Sequence, residues 1–200
     1  MADKISLDRK STALLVMDFQ SSIVDGYATD KERLLDRVAK LLGMARNADL
    51  TVIHVVVGFR SGHPEVSDRN RSFRAIKETG RFADGDPNAK IHPAVAPKAG
   101  EAVVTKHRVG AFSGTDLELL LRARNIDTLL LAGIATSGVV LSTLRHAADA
   151  DYRLFVIRDC CSDKDEEVHR VLMEKVFPRQ AIVASLDAVI SAIEVSGAAL

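Results

Sequence analysis

Short apolar runs alternate along the chain with segments whose apolar residues recur at helical spacing. The run Leu129-Leu130-Leu131-Ala132 is typical of a strand buried on both faces of a parallel sheet. Similar runs predict further strands at residues 12–19, 50–57, 101–106, 152–157 and 180–184. Because strands and helices alternate, we predict an α/β fold: three αβα layers around a doubly wound, mostly parallel sheet of about six strands. A length of 200 residues fits a single domain over residues 1–200.

Helical spacing is clearest between residues 29 and 47, where Thr29 or Asp30 is the predicted N-cap. Further helices are predicted after Gly138, at residues 117–124 and 165–177, and from Ser185 onward. Residues 58–97 lack a clear period and hold four of the five prolines. Long irregular segments of this kind are typical of binding loops or lids.

The charge balance gives no reason to expect a nucleic acid or an acidic membrane as partner, because Lys plus Arg and Asp plus Glu each number 27. Apolar runs are far shorter than a membrane span, and the N-terminal residues lack the apolar segment of a secretion signal. We therefore expect a cytoplasmic protein with a small-molecule substrate. Cys160 and Cys161, the only cysteines, are neighbours, which argues against a disulfide-stabilised secreted scaffold.

Two charged residues stand where predicted strands end. Asp18 lies near the end of the first strand and Lys106 ends the strand at 101–106, while Gly133 opens the turn after the strand at 129–132. In a parallel sheet these three points meet at one edge, where open α/β sheets bind their ligands. A lysine–carboxylate pair beside a helix N-terminus is a candidate acid/base centre. The alternative is a turn cap for Asp18 and a solvent-facing charge for Lys106.

Arginines in the irregular segment are candidates for binding a carboxylate by paired hydrogen bonds; they are Arg60, Arg69, Arg71 and Arg74. The alternative is a solvated loop with surface ion pairs. His54, inside the strand at 50–57, is predicted to pack in or beside the core. Because His63 is the only candidate metal ligand soon after that strand, we predict no metal and no cofactor.

Three segments, in this order and spacing, resemble the isochorismatase-like hydrolase family of the cysteine hydrolase superfamily, which also contains nicotinamidases and related amidases. They are ALLVMDFQ with Asp18, VVTKHRVGAFSGTDLELLLRARNID with Lys106, and LLLAGIATSGVVLSTLRHAADADY followed by VIRDCCSD. The resemblance covers nearly the whole chain. It implies a six-stranded sheet with helices on both faces, and an aspartate and a lysine that flank a cysteine nucleophile. It also implies an oxyanion hole shaped by a non-proline cis peptide between Ala135 and Thr136.

The position of the family's nucleophile holds a different residue here. In the amidases the pattern reads Gly, two residues, Thr, two residues, Cys, and counting from Gly133 places Val139 at the cysteine position. Valine cannot attack a carbonyl. Cys160 and Cys161 are predicted to serve packing, with a relocated nucleophile as the alternative. Because no histidine is placed to deprotonate it, Ser137, two residues before Val139, is predicted to be an N-cap, with a nucleophile as the alternative.

We therefore predict a non-covalent hydrolase that cleaves a small carboxylated enol ether, as the family's cysteine-free isochorismatases do. Asp18 is the predicted general acid/base, and Lys106 tunes its protonation. The predicted substrate contacts are Phe19, Gln20, Arg60, Ala135, Thr136, Ser137 and Gly138. The alternative is a catalytically silent member that binds a small molecule or acts in an oligomer. By resemblance we also expect a homo-oligomer, a dimer or larger.

Overall fold

A six-stranded parallel sheet forms the centre of the structure, a computed structural model that describes residues 5–197. The strands are β1 (Thr12–Met17), β2 (Thr51–Val57), β3 (Ala102–Lys106), β4 (Thr128–Ile134), β5 (Arg153–Ser162) and β6 (Ile182–Ala184). They lie in the order β3-β2-β1-β4-β5-β6, and every neighbouring pair is parallel. The predicted fold class is confirmed. The localisation prediction used the N-terminal residues, and the first four of these lie outside the described residues.

Helices cover both faces of the sheet. Over residues 5–197 they are α1 (Ser21–Tyr27), α2 (Lys31–Asn47), α3 (Arg71–Thr79), α4 (Leu117–Ala123), α5 (Leu141–Asp149), α6 (Glu166–Val171) and α7 (Leu186–Gly197). Side chains of a strand alternate between faces, so Leu14 and Val16 pack in one apolar cluster with α2 and α7. Leu15 and Met17 pack in a second cluster with α4 and α5. The protein thus has three αβα layers with a core on each face of the sheet.

Several element boundaries differ from the predictions. Helix α1 follows Gln20, where the sequence analysis predicted no helix; it buries only Ile23 and Val24 and has no side-chain cap within the described chain. The segment 58–97 contains α3, whose N-cap Asn70 accepts a hydrogen bond from the N–H of Phe73. Helix α3 buries only Phe73, which explains why its apolar period was not visible in the sequence. In contrast, the predicted cap of α2 is confirmed, since the Asp30 side chain accepts from the N–H of Arg33.

Strand β5 is longer than predicted because its pairing with β4 is irregular. Leu131 pairs with Val156, but Gly133 pairs with Cys161, so extra β5 residues are accommodated opposite Ala132. Such irregularities often occur beside functional sites, where they redirect the chain. Here the shift carries β5 up to Ser162, next to the turn that follows β4.

The strand order changes direction between β1 and β4. Connections from β1 lead outward to β2 and β3 on one side, and connections from β4 lead to β5 and β6 on the other. In doubly wound sheets a crevice opens beyond the carboxyl ends of the strands at this point. Asp18 directly follows β1, and Ala135 directly follows β4, so both stand at this crevice. No helix within residues 5–197 is both long enough and apolar enough to cross a membrane.

Candidate active site

Asp18 and Lys106 form a buried ion pair at the crevice. Oδ2 of Asp18 lies 2.9 Å from Nζ of Lys106, and their side chains are 8% and 3% exposed. Lys106 Nζ also donates to the carbonyl oxygen of Arg108 at 3.1 Å. Asp18 has a φ of 60°, a left-handed conformation that Asp and Asn tolerate better than most residues, and its N–H donates to the carbonyl oxygen of Val55. Strands β1 and β3 thus bring the two predicted residues into contact.

The environment of Asp18 favours a carboxyl group that can hold a proton. Burial raises its pKa above the usual value, and the ion pair and hydrogen bond with Lys106 oppose this only in part. Oδ1, the second carboxyl oxygen, is buried and has no hydrogen-bond partner among residues 5–197. A buried acid with a raised pKa and one uncommitted oxygen is suited to deliver or accept a proton.

A pocket of about 550 Å³ contains this pair. Residues 135–140, which we call the β4 turn, line one side of it through Ala135, Ser137, Gly138 and Val139. Three of these were predicted substrate contacts, and the fourth, Val139, stands where the resemblance predicts the cysteine. Val139 is buried and also packs in the core cluster that contains α4 and α5.

The opposite wall comes from α3 and the residues that follow it. Phe73, Ile76 and Phe82 give this wall an apolar surface, and Arg81 supplies a positive charge. The guanidinium of Arg81 lies 5.0 Å from the centre of the Phe82 ring, and within the described chain it forms no salt bridge. Arg81 could not be singled out from the sequence, because only the folded chain brings it to the pocket that contains Asp18.

A larger depression of about 960 Å³ lies between β6 and α7. Its surface is mostly apolar, and its charged residues, Arg158 and Glu174, are only 3.8 Å apart but both substantially exposed. It offers no buried acid or base. We therefore assign the candidate active site to the smaller pocket, where the buried pair lies.

The β4 turn differs in detail from the expectations. It forms one π-helical turn, Thr136–Val140, before α5. The cis peptide joins Ile134 to Ala135, one residue earlier than expected. The N-cap prediction for Ser137 is wrong, because the cap residue is Ala135 and the capping oxygen comes from elsewhere in the chain.

That oxygen belongs to Asp163, at the end of β5. Its Oδ2 accepts a hydrogen bond from the N–H of Ser137 at 2.7 Å. The N–H of Gly138 donates to the carbonyl oxygen of Ala135. The backbone N–H groups of two predicted substrate contacts, Ser137 and Gly138, are therefore already engaged within the protein.

Four predicted substrate contacts do not line the pocket. Phe19 is buried in the core cluster that contains α2. Gln20 is also buried, and its side-chain amide bridges the N–H and carbonyl of Val57. Thr136 Oγ1 lies 2.8 Å from His169 Nδ1. Arg60 is 71% exposed and pairs with Glu65 at 2.6 Å.

The other arginines and the cysteines also lie away from the pocket. Arg69, Arg71 and Arg74 do not line it, and Arg74 pairs on the surface with Glu78 at 3.5 Å. Cys160 and Cys161 are buried, and burial raises the pKa of both thiols, that of Cys161 to about 12. Such thiols are unreactive at neutral pH, in agreement with the predicted packing role.

Two observations bear on metal binding, for which His54 and His63 were the histidines considered. His54 is buried, with Nε2 3.1 Å from Oε2 of Glu101. Within residues 5–197, no three His, Cys, Asp or Glu side chains lie close enough together to hold a metal ion.

Comparison with known proteins places the chain in a family. An isochorismatase domain matches residues 12–188. The chain belongs to the isochorismatase family. An uncharacterised isochorismatase family protein of Escherichia coli O157:H7, YecD, is 32% identical over 94% of this chain and all of its own. A maleamate amidohydrolase of Pseudomonas putida is 33% identical over 83% of this chain and 78% of its own.

A solved isochorismatase family structure from Burkholderia thailandensis is similar to this one. The TM-score is 0.82 at 29% identity, and the match covers 94% of this chain and 98% of the other. In this isochorismatase family member the pocket holds Asp18, Lys106 and the β4 turn, with valine at position 139.

Proposed function

We propose that this isochorismatase family protein hydrolyses a small carboxylated substrate of the enol-ether type without forming a covalent intermediate. The observation that supports the proposal is the buried Asp18–Lys106 pair, with an uncommitted carboxyl oxygen, in a pocket where position 139 holds valine. A valine side chain cannot form an acyl-enzyme. The acid/base pair remains the source of chemistry in the pocket.

Cleavage of an enol ether needs a proton before it needs a nucleophile. In the proposed reaction Asp18 gives its proton to the enol-ether carbon, and the resulting oxocarbenium ion is attacked by water. The hemiketal that forms then releases the alcohol and a ketone. Lys106 stabilises the carboxylate that Asp18 becomes after giving up its proton, since its charge is only 2.9 Å away. Water returns the proton, so neither a thiolate nor an acyl intermediate is required.

The walls of the pocket suit a small body with one carboxylate. Phe73, Ile76 and Phe82 offer apolar contact, and Arg81 offers a cation that no acidic side chain of the described residues neutralises within salt-bridge distance. Arg81 therefore takes the role first given to Arg60. The maleamate in the name of the relative from Pseudomonas putida is itself a small carboxylate, which supports this substrate class.

The test compares hydrolysis of isochorismate and related enol ethers by the wild type and Asp18→Asn. We expect turnover by the wild type and a loss of about 100-fold or more in Asp18→Asn, the scale of general acid catalysis. Equal rates in the two proteins would remove Asp18 from the mechanism. Arg81→Gln should raise KM more than it lowers kcat. Arg74→Gln is the matched control, because Arg74 lies outside the pocket and pairs with Glu78.

A second candidate function is binding without turnover, as a silent family member. It is favoured by the buried Val139 and by the engagement of the Ser137 N–H with Asp163. Tight binding of a small acid in calorimetry, together with no turnover across a broad panel of amides, esters and enol ethers, would support it. We further propose a homo-oligomer, a dimer or larger, and a monomer mass in light scattering at micromolar concentration would refute that.

A further inference from the structure

The β4 turn is held by two side chains that do not belong to the pocket. Asp163 Oδ2 accepts from the Ser137 N–H at 2.7 Å, and His169 Nδ1 lies 2.8 Å from Thr136 Oγ1. Asp163 follows β5 and His169 lies on α6. Both line a separate polar cleft of about 290 Å³, so they contact the turn from outside the active-site pocket.

These contacts are the kind that fix a backbone. Thr136 is fully buried and Asp163 is 7% exposed, so either group would lose hydrogen bonding without its partner. A bond from an N–H to a carboxylate is also among the stronger hydrogen bonds of proteins. Within residues 5–197, no side chain of the turn itself caps its first residues. The geometry at the start of the turn therefore depends on Asp163 and His169.

We propose that Asp163 and His169 are positioning residues of the active site: they fix the β4 turn so that position 139 faces Asp18. This inference rests on the proposed function, because it takes the pocket of Asp18 as the reaction site. Neither residue lines that pocket, so each acts through the turn.

The first experiment measures amide hydrogen exchange of the turn in the full-length protein. Asp163→Ala and His169→Phe remove the two contacts, whereas Asp163→Asn and His169→Asn keep a polar atom near the place of the original one. We expect turn amides to exchange about tenfold faster in the first pair, the equivalent of one lost hydrogen bond, and near the wild-type rate in the second. Glu167→Ala is the control, because Glu167 also lies on α6 but has an 81% exposed side chain that pairs with Arg170. Unchanged turn exchange in Asp163→Ala and His169→Phe would overturn the proposal.

The second experiment asks whether the pocket depends on these contacts, without using turnover. Val139→Cys places a thiol on the turn, and its rate of alkylation by iodoacetamide reports on its surroundings. We expect adding Asp163→Ala or His169→Phe to slow alkylation about tenfold, and adding His169→Asn or Glu167→Ala to leave it nearly unchanged. Melting temperatures of all variants separate local from global loss of structure.

The outcomes distinguish this inference from the proposed function. A thiol at 139 that is reactive alone and equally reactive in all double variants would overturn the positioning role and leave the proposed function standing. A thiol no more reactive than free cysteine would count against the proposed site, and the exchange measurement would still decide whether Asp163 and His169 hold the turn.

Discussion

Removing the charge of Lys106 should destabilise the protein at neutral pH and much less in acid. The side chains of Lys106 and Asp18 are 3% and 8% exposed, so Lys106→Met leaves a carboxylate buried without its partner. Breaking a buried ion pair in this way costs about 3–5 kcal/mol. In a chain of this length each kcal/mol corresponds to about 2–4 °C, so we expect a melting temperature lower by about 10 °C.

The dependence on pH follows from the pKa of Asp18. Burial raises this pKa above its value in the unfolded chain, and Lys106 partly opposes the effect. The stability that such a group contributes is fully present below the unfolded pKa and is lost as the pH rises through the folded pKa. Without Lys106 the folded pKa rises further. The penalty of Lys106→Met should therefore shrink as the pH falls from neutrality.

Asp18→Asn should respond differently to the same change in pH. Asn tolerates the left-handed backbone at this position, so the substitution mainly leaves the ammonium of Lys106 buried without its carboxylate. The ammonium stays charged at low pH, so the stability lost in Asp18→Asn is not regained there. Urea unfolding of both variants at about pH 7.5 and about pH 5 measures the difference. If both variants lose the same free energy of unfolding at both pH values, Asp18 and Lys106 do not form a buried pair in which Asp18 has a raised pKa.

Three further predictions concern the pocket and the core. Val139→Cys should fold at a cost of no more than about 1.5 kcal/mol, and its thiol should react with iodoacetamide at least about tenfold faster than Cys161, as peptide mapping after alkylation would show. Gly133→Ala should cost about 1–3 kcal/mol in urea unfolding, because a Cβ there would meet Val140 at 3.0 Å and Met17 at 3.2 Å. Gly138→Ala, whose Cβ would meet nothing closer than 3.8 Å, is the control. For Glu101, burial raises the pKa but hydrogen bonds, first that of Arg46, outweigh it and lower the pKa to about 2. The stability that Glu101 contributes is present above the unfolded pKa of 4.5 and is lost as the pH falls toward 2. In Glu101→Gln the free energy of unfolding should therefore fall less between neutral pH and about pH 2, by about 3 kcal/mol at most, as urea unfolding at several pH values would show.

The sequence predicted the sheet because buried parallel strands leave a direct signal in apolar runs. It also placed Asp18 and Lys106 together, since the ends of parallel strands meet at one edge. Helix α3 left no such signal, because Phe73 is its one buried residue among those the structure describes. A short helix with one fully buried residue and one partly buried apolar residue, Ile76, gives too weak an apolar period to be recognised.

Side-chain partners were harder to predict than strand positions. Gln20 lies close in sequence to Asp18, yet its amide is occupied by the backbone of Val57 in the neighbouring strand and by the carbonyl oxygen of Ala89. Arg60 lies only three residues after β2 and still turns outward to Glu65, whereas Arg81, much farther along the chain, lines the pocket. Which arginine reaches a site depends on tertiary packing, and a single sequence carries no pattern for that.

The Asp18–Lys106 pair also allows stability and function to be separated. Replacing a buried ion pair by uncharged groups of similar volume is often neutral or stabilising by about 1–4 kcal/mol, because neither charge then needs to be desolvated. The double variant Asp18→Asn/Lys106→Met should accordingly recover most of the stability that each single variant loses at neutral pH, and the difference measures the coupling between the two side chains. If the pair serves chemistry, the stable double variant should show no turnover of any substrate that the wild type hydrolyses. A double variant as unstable as the sum of the two single variants would mean that the side chains act independently, and the buried pair could not then be the centre of the site.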